Sequence, residues 1–351
     1  MSESSGNRIE EIDALRGFAL FGILLVNVFV FHAPIKYYGE FYGAFEGVQA
    51  MAVNGVVNFA GGKFLFIFAF LFGYGIVLQQ NSRPNSFNIY FVKRMAVLLL
   101  IGIVHIALFW FGDILASYAL LGFLVIPLLR LSKPTILVLA IFFILFRPLY
   151  YFGVVLFDWP SVQMGELVSL EEFVSVFQEG SYFEIFKLRM REFGAFIPEN
   201  LVWYISKTFG LFLVGIYAAR INLFTQMKLN SIKFTQLTLL FILVSVLWNY
   251  FKLDVFGLFD LQAQPIWRPI LISINVFFET TLGMGYILGF SLVFQNSQLL
   301  TNILAKTGRL ALTNYLFQSL ICVIVFYGFG FGQYAKWEPT DLVLFSAALF
   351  G

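Results

Sequence analysis

The chain has 351 residues, of which 60% are hydrophobic and 12% charged, with 46 Phe, a net charge of +2 and a mean hydropathy of +0.85. Average soluble chains carry about 25% charged residues, so this composition excludes a water-coated globule. The positive charge is dispersed, with no basic block longer than Lys93-Arg94, which gives no support for nucleic-acid binding; the lone Cys322 allows no intrachain disulfide, and no Cys/His cluster has metal-ligand spacing.

Apolar runs near the ~20 residues that cross a hydrocarbon core recur along the sequence. The first, Leu15 to Phe31, is too long for a signal-peptide core and lacks a small-residue cleavage site, so it is a retained helix. Further spans are predicted at 59–79, 95–112, 114–130, 134–156, 201–219, 234–251, 269–293 and 309–328, and a tenth begins near Asp341. The expected fold is all-α: one polytopic transmembrane bundle over residues 1–351, with about ten helices. The tenth run meets Gly351 before it is long enough to cross, so a truncated C-terminal end is expected.

Threading the spans alternately puts Arg8, the Arg83/Lys93/Arg94 loop, Arg130 and Lys133, Arg220, Lys228 and Lys233, and Lys306 with Arg309 on one side. The positive-inside rule makes that side, and the N-terminus, cytoplasmic. The longest opposite loop, 157–200, carries Asp158, Glu166, Glu171, Glu172, Glu179 and Glu184 before a basic run at Lys187, Arg189 and Arg191. Its stretch from Leu170 to Phe193 repeats apolar residues at three- and four-residue intervals, as an interfacial amphipathic helix would. The sequence holds no detectable internal repeat, which weighs against a transporter of inverted halves.

Polar groups at membrane depth are costly, so each is a functional candidate, with interhelical hydrogen bonding as the alternative. His105 lies ten residues into its predicted span, ~15 Å deep, where a neutral imidazole serves either as a base or as a structural bond to a neighbouring helix. Arg16 and Asn27, eleven residues apart, share a face of the first helix; the competing roles are a snorkelling anchor and bundle glue. His32 ends the same helix before Pro34, and Asp113 follows Gly112 at a turn where it can cap the next helix. Eight residues, ~12 Å on an ideal helix, separate Asp113 from His105, so the two meet only if the helix breaks before Gly112. Glu279 is ~15 Å deep and needs a cation, water or a proton, with Arg147 one available partner; Lys63 enters the second span from the outer side; Asn314 and Gln318 are an i, i+4 pair. The signatures of soluble enzymes, a Walker-type phosphate loop, a nucleophile-elbow serine or a helical zinc pair, do not occur.

Arg8-Ile9 with Asp13-Ala14-Leu15-Arg16-Gly17-Phe18-Ala19 and Leu24-Leu25-Val26-Asn27 resembles the first helix of the bacterial YeiB-like (DUF418) membrane proteins. Three collinear stretches share the resemblance. These are Gly62-Lys63-Phe64 through Phe70-Leu71-Phe72-Gly73-Tyr74-Gly75; Gly102 and His105 through Trp110-Phe111-Gly112-Asp113-Ile114-Leu115 and Tyr118-Ala119-Leu120; and Gly308-Arg309-Leu310-Ala311-Leu312-Thr313-Asn314-Tyr315. The resemblance implies membership in the transmembrane acyltransferase superfamily, with acyltransferase-3 proteins and heparan glucosaminide acetyltransferases, and an absent final helix and basic tail.

The resemblance further implies a membrane acyltransferase that takes an acyl group from cytoplasmic acyl-CoA, as co-substrate, to a sugar or other hydroxyl or amine acceptor. Arg16 and Asn27 match the spacing of an arginine–histidine pair in acyltransferase-3 proteins, with asparagine, which is no general base, in place of histidine. His32-Ala33 resembles the essential histidine of the heparan-type enzymes only across a shortened loop; His105 belongs to the YeiB-like motif and is the preferred base. The expected roles are therefore His105, Asn27, Asp113 and His32 in catalysis, and Arg16, Lys93, Arg94 and Lys63 in donor binding. The expected surroundings are the bacterial cytoplasmic (inner) membrane and its lipid bilayer, with homo-oligomerisation left open. The competing function is a transporter or flippase of a small amphiphile, using Glu279, Arg147 and His105.

Overall fold

The computed structural model describes residues 3–162, 165 and 168–351; Glu166 lies outside them, as does the side chain of Arg8. Helix α1 (Glu3–His32) is followed by short α2 (Tyr38–Gly43) and α3 (Gly47–Gly55), and a π-helical turn, Val56–Ala60, leads to α4 (Lys63–Ser82). Gly62 turns the chain into α4 at a φ of 75°, a left-handed conformation that a side chain would strain. Helices α5 (Phe87–Leu108) and α6 (Leu115–Leu128) come next, joined by an irregular turn.

Helices α7 (Lys133–Ile144) and α8 (Phe146–Phe157) meet at 56°, so the span predicted at 134–156 is broken. Pro148 explains the break: it has no N–H for the Ile144 carbonyl, and its ring crowds that same oxygen. The single amphipathic helix expected from Leu170 to Phe193 is instead two, α9 (Leu170–Glu179) and α10 (Tyr182–Asn200). Ser181 and Glu184 form a reciprocal capping box that starts α10 afresh. Both helices bury side chains in the bundle, among them Phe173, Phe177, Ile185 and Arg189, rather than lying along its surface.

A second π-helical turn, Leu201–Ile205, runs into α11 (Ser206–Arg220) and short α12 (Leu223–Leu229). The long α13 (Ser231–Gly257) and α14 (Trp267–Asn296) follow. Helices α15 (Gln298–Arg309) and α16 (Ala311–Phe326) are bent by 73° at Leu310, and α17 (Pro339–Phe350) closes the described chain. Six helices are long and apolar enough to cross a membrane, eight if each bent pair counts as one span, and α6 and α17 are shorter apolar helices.

The centre of the bundle is α1, α4 and α11, whose apolar windows are 61–67% buried, against 22% for α5 and 11% for α13. Outward rows such as Val97, Leu100 and Ile103 on α5, or Leu239, Leu243 and Leu247 on α13, present bare aliphatic surface, as lipid contact requires. The central helices touch backbone to backbone. A Cβ on Gly73 would strike the Phe212 carbonyl and one on Gly215 the Phe70 carbonyl, which locks α4 to α11; Gly17 and Gly308 lock α1 to α15 in the same way. Gly308→Ala would push α15 off the Asp13 carbonyl and is expected to cost about 1–3 kcal/mol, as overpacking does. The check is a thermal melt in detergent with Gly39→Ala as control, because nothing lies within 4 Å of a Cβ at Gly39.

Candidate active site

Helix α5 ends one turn after His105. Its carbonyl accepts from both Phe109 N (2.9 Å) and Trp110 N (3.1 Å), and the chain then runs irregularly to Ile114. That break brings Asp113 back over the helix end, so the ~12 Å separation expected along a continuous helix becomes 3.0 Å between His105 Nδ1 and Asp113 Oδ2. The other oxygen, Oδ1, accepts from Ala116 N at 2.7 Å, so Asp113 both caps α6 and faces the imidazole. Gly102 makes room for this turn: a Cβ there would lie 2.8 Å from Asp113 Oδ1. Both side chains are almost fully buried, and the pair is close without being aligned as a full hydrogen bond, a geometry that catalytic pairs tighten when substrate binds. His105 Nε2 has no hydrogen-bond partner among the described residues. Because α5 starts at Phe87 rather than near residue 95, His105 sits three residues from the far end of its helix.

The carbonyls left open where α5 stops are met by Arg189 of α10. Its guanidinium donates to Phe109 O, to Ala107 O at 3.3 Å and to Leu108 O at 3.4 Å. Arg189 is fully buried, and hydrogen bonds from a charged donor are each worth about 1.5–3 kcal/mol net. In the sequence it is one cation of a surface-like basic run, with no local signal that sets it apart. Its neighbour Glu192 is buried too, which pushes its carboxyl up to about 8; the Ile35 backbone and the Arg189 charge pull it down, but by less.

A cavity of about 550 Å³ runs from the opposite end of the bundle toward this pair without reaching it. Its mouth carries Arg16, Lys93, Arg94 and Arg309; its walls include Leu20, Ile23, Phe68, Phe72, Leu98 and Ile101; and its inner end is Ile114, Leu115, Tyr118 and Tyr315. The Tyr315 ring lies 5.3 Å from the His105 ring, so this tyrosine separates the cavity from the imidazole. At the mouth, Arg16 pairs with Asp13 at 2.6 Å and Arg94 donates to Gln79 Oε1 at 2.6 Å. The sequence-predicted Arg16, Lys93 and Arg94 are thus brought together. Asn27 falls on the Arg16, Leu20, Ile23 stripe of α1, one turn beyond the last of these to line the cavity.

Two predicted site residues lie elsewhere. Both ring nitrogens of His32 are occupied: Nδ1 donates to Tyr42 Oη at 2.9 Å, and Nε2 accepts from Trp337 N at 3.0 Å. Tyr42 passes its own proton on to Phe29 O, which fixes this tautomer. Lys63, buried at the start of α4, is not at the cationic mouth; it keeps company with Glu279, Lys207 and Lys252. The partner of Glu279 is Lys207, at 2.7 Å, and not Arg147, whose guanidinium stacks 3.8 Å above the Trp203 ring. Of the Asn314 and Gln318 seam, Asn314 donates to Thr307 O at 3.1 Å, stitching the α15–α16 bend, while Gln318 is buried.

Fold and site together define a polytopic helical membrane protein with a buried histidine–carboxylate pair behind the aromatic inner end of a cation-mouthed cavity. The family model described as heparan-alpha-glucosaminide N-acetyltransferase, catalytic, matches residues 8–186, and the model DUF418, described as a protein of unknown function, matches residues 218–351. The uncharacterized protein YxaH of Bacillus subtilis (strain 168) is 28% identical over 98% of this chain and 88% of its own, and the uncharacterized protein YeiB of Escherichia coli (strain K12) is 28% identical over 95% and 87%. An uncharacterized 39.9 kDa protein from the amylase 3' region of Bacillus acidopullulyticus is 34% identical over 41% of this chain and 40% of its own. No solved structure matches. The chain belongs to the YeiB-like DUF418 family, and its first half is of the acetyltransferase catalytic type. His105, Asp113, Arg16, Lys93 and Arg94 all fall in that first half, whereas Arg309 and Tyr315 come from the DUF418 region.

Burial keeps Glu192 protonated in the fold, so its proton is retained below about pH 8 while the unfolded carboxyl ionises near its ordinary value. The native state then binds more protons than the unfolded one across that interval, and stability falls as pH rises through it. Glu192→Gln is expected to remove this slope: a melt at pH 5 matches wild type, and a melt at pH 8.5 is higher than wild type.

Proposed function

We propose that this protein is a membrane acyltransferase that moves an acyl group from cytoplasmic acyl-CoA to a hydroxyl or amine acceptor at or across the bacterial inner membrane. The observation that carries this reading is the His105–Asp113 pair one ring, Tyr315, behind the inner end of a cavity whose other end is lined by Arg16, Lys93 and Arg94. Counting six long helices, two bent pairs and two shorter apolar helices each as a crossing gives ten, with the N-terminus and the cationic mouth cytoplasmic.

In this scheme the guanidiniums hold the phosphates of the donor by charge-assisted bonds. Arg94 and His105 are eleven residues apart on α5, ~16 Å at 1.5 Å per residue, a span suited to an extended pantetheine arm. The thioester then lies beside Tyr315 at the inner end, with Asn27 available to hydrogen-bond its carbonyl or the acceptor. Asp113 holds the proton on Nδ1 and leaves the Nε2 lone pair free. Nε2 removes the acceptor proton as the new C–O or C–N bond forms, the C–S bond breaks, and the imidazolium returns the proton to the departing thiolate. The carboxylate stabilises the imidazolium in between. The role of His32 is the clamp it makes with Tyr42 and Trp337.

A positioned base contributes about 10²–10⁴-fold. His105→Ala is therefore expected to abolish transfer of labelled acetyl from acetyl-CoA to cell-envelope material, with an unchanged elution profile in detergent. Asp113→Asn, which keeps an oxygen for Ala116 N, is expected to fall between that variant and wild type. Full activity in His105→Ala would overturn the assignment.

A further inference from the structure

Among the described residues a second group of charges, away from the cavity, gathers near the ends of α4, α11 and α13 around Glu279 of α14. Lys207 of α11 and Glu279 of α14 pair at 2.7 Å; Lys252 of α13 donates to Asn58 Oδ1 at 2.7 Å; and Lys63 of α4 stands within electrostatic reach of all three. Glu279 also accepts from Asn275 at 2.9 Å. These groups face inward: Phe277, two residues and ~200° away on α14, is 61% exposed on the lipid side. Yet Glu279 and Lys207 keep 34% and 23% of their side chains exposed, so the interior helices leave a recess between them.

The charges in this recess do not balance. Three ammoniums surround a single carboxylate, and Lys63, 6% exposed, makes no hydrogen bond among the described residues. Arg147, stacked on Trp203, has Glu199 as a second carboxylate neighbour and is not part of this balance. Uncompensated cations in a low-dielectric interior are expensive, and a purely structural ion pair would need one lysine, not three. Lys63 is thus a buried ammonium with donors unspent, beside a carboxylate already committed to Lys207 and Asn275.

We propose that this recess binds an anionic group, a carboxylate or a phosphate, between Lys63, Lys207 and Lys252. The site is separate from the cationic mouth where the donor is placed, since none of its residues lines that cavity. It adjoins the His105–Asp113 side of the bundle: Tyr204, one turn before Lys207 and Thr208, neighbours Asp113, and Tyr118 Oη reaches Leu65 O at 3.5 Å, two residues after Lys63. The anion is accordingly assigned to the acceptor. That assignment rests on the transferase reading, whereas the anion site itself rests on these charges alone.

Binding is measured on the purified full chain in neutral detergent by thermal unfolding, with sodium phosphate or sodium acetate titrated against sodium chloride at equal ionic strength. At least one of the two is expected to raise the midpoint saturably in wild type. In Glu279→Gln, where the internal competitor is gone, the same anion is expected to saturate at a roughly tenfold lower concentration, and in Lys63→Met and Lys207→Met the shift is expected to vanish. Stabilisation by phosphatidylglycerol over phosphatidylcholine nanodiscs, lost in Lys63→Met and not reproduced by the soluble anions, would identify the anion as a lipid headgroup. The proposal is overturned if wild type and Glu279→Gln show no saturable shift with any of these anions, or if Lys63→Met retains one in full. Loss of acetyl transfer plays no part in this readout, so either idea can fail without the other.

Discussion

A helix that ends must do something with its last carbonyls, and this protein is organised around one such end. The end of α5 at Leu108 leaves acceptors open; each would cost several kcal/mol if left unsatisfied in hydrocarbon. Arg189 meets them from α10, a helix that does not itself qualify as a span. Once the stop is stabilised, the next six residues are free to turn back, and Asp113 comes within 3.0 Å of an imidazole it could never reach along a continuous helix. The irregular turn is therefore tolerable because it is buried in protein and closed by a guanidinium.

The distribution of charge follows the same economy. Cations at the cavity mouth are partly neutralised by Asp13 and the amide of Gln79, while the imidazole–carboxylate pair is embedded where neither partner meets solvent. Aromatic rings separate the two: Tyr118 and Tyr315 close the inner end and Phe68 and Phe72 line the wall. A ligand entering from the mouth would exchange water for apolar surface along its length and meet polar groups again only at the far end, which is where orientation is needed.

Much of this was legible in the sequence. The apolar runs located the long helices, because hydrocarbon thickness imposes a length that loops do not share, though six rather than ten qualify as unbroken spans; the polar residues within them included Arg16, His105 and Glu279. The family motif, confirmed by the match of both family models, also held Asp113 and Arg309. What was hidden depends on breaks and on distant partners. An ideal-helix extrapolation through residues 109–112 separates His105 from Asp113; Pro148 splits a run that hydropathy treats as continuous; and nothing in the local pattern of 187–191 distinguishes a surface cation from one buried against carbonyls 80 positions earlier. Lys207 escaped notice for the opposite reason: near the beginning of a span it looks like an ordinary anchor, and only α14 packed alongside reveals the carboxylate it serves.

His32 carries one more consequence, for how the chain is built. Its Nε2 accepts from Trp337 and its carbonyl from Ala335, contacts that bridge 305 and 303 positions. The far end of α1 therefore cannot make these contacts until a segment about 300 residues later has been inserted. Until then His32 has only its Tyr42 bond, its Nε2 and carbonyl lack these partners, and α1 also lacks its glycine contact with α15. Biogenesis must keep α1 stable in lipid but incompletely packed until that later segment arrives, which makes the intermediates before it the natural point at which quality control would inspect the protein.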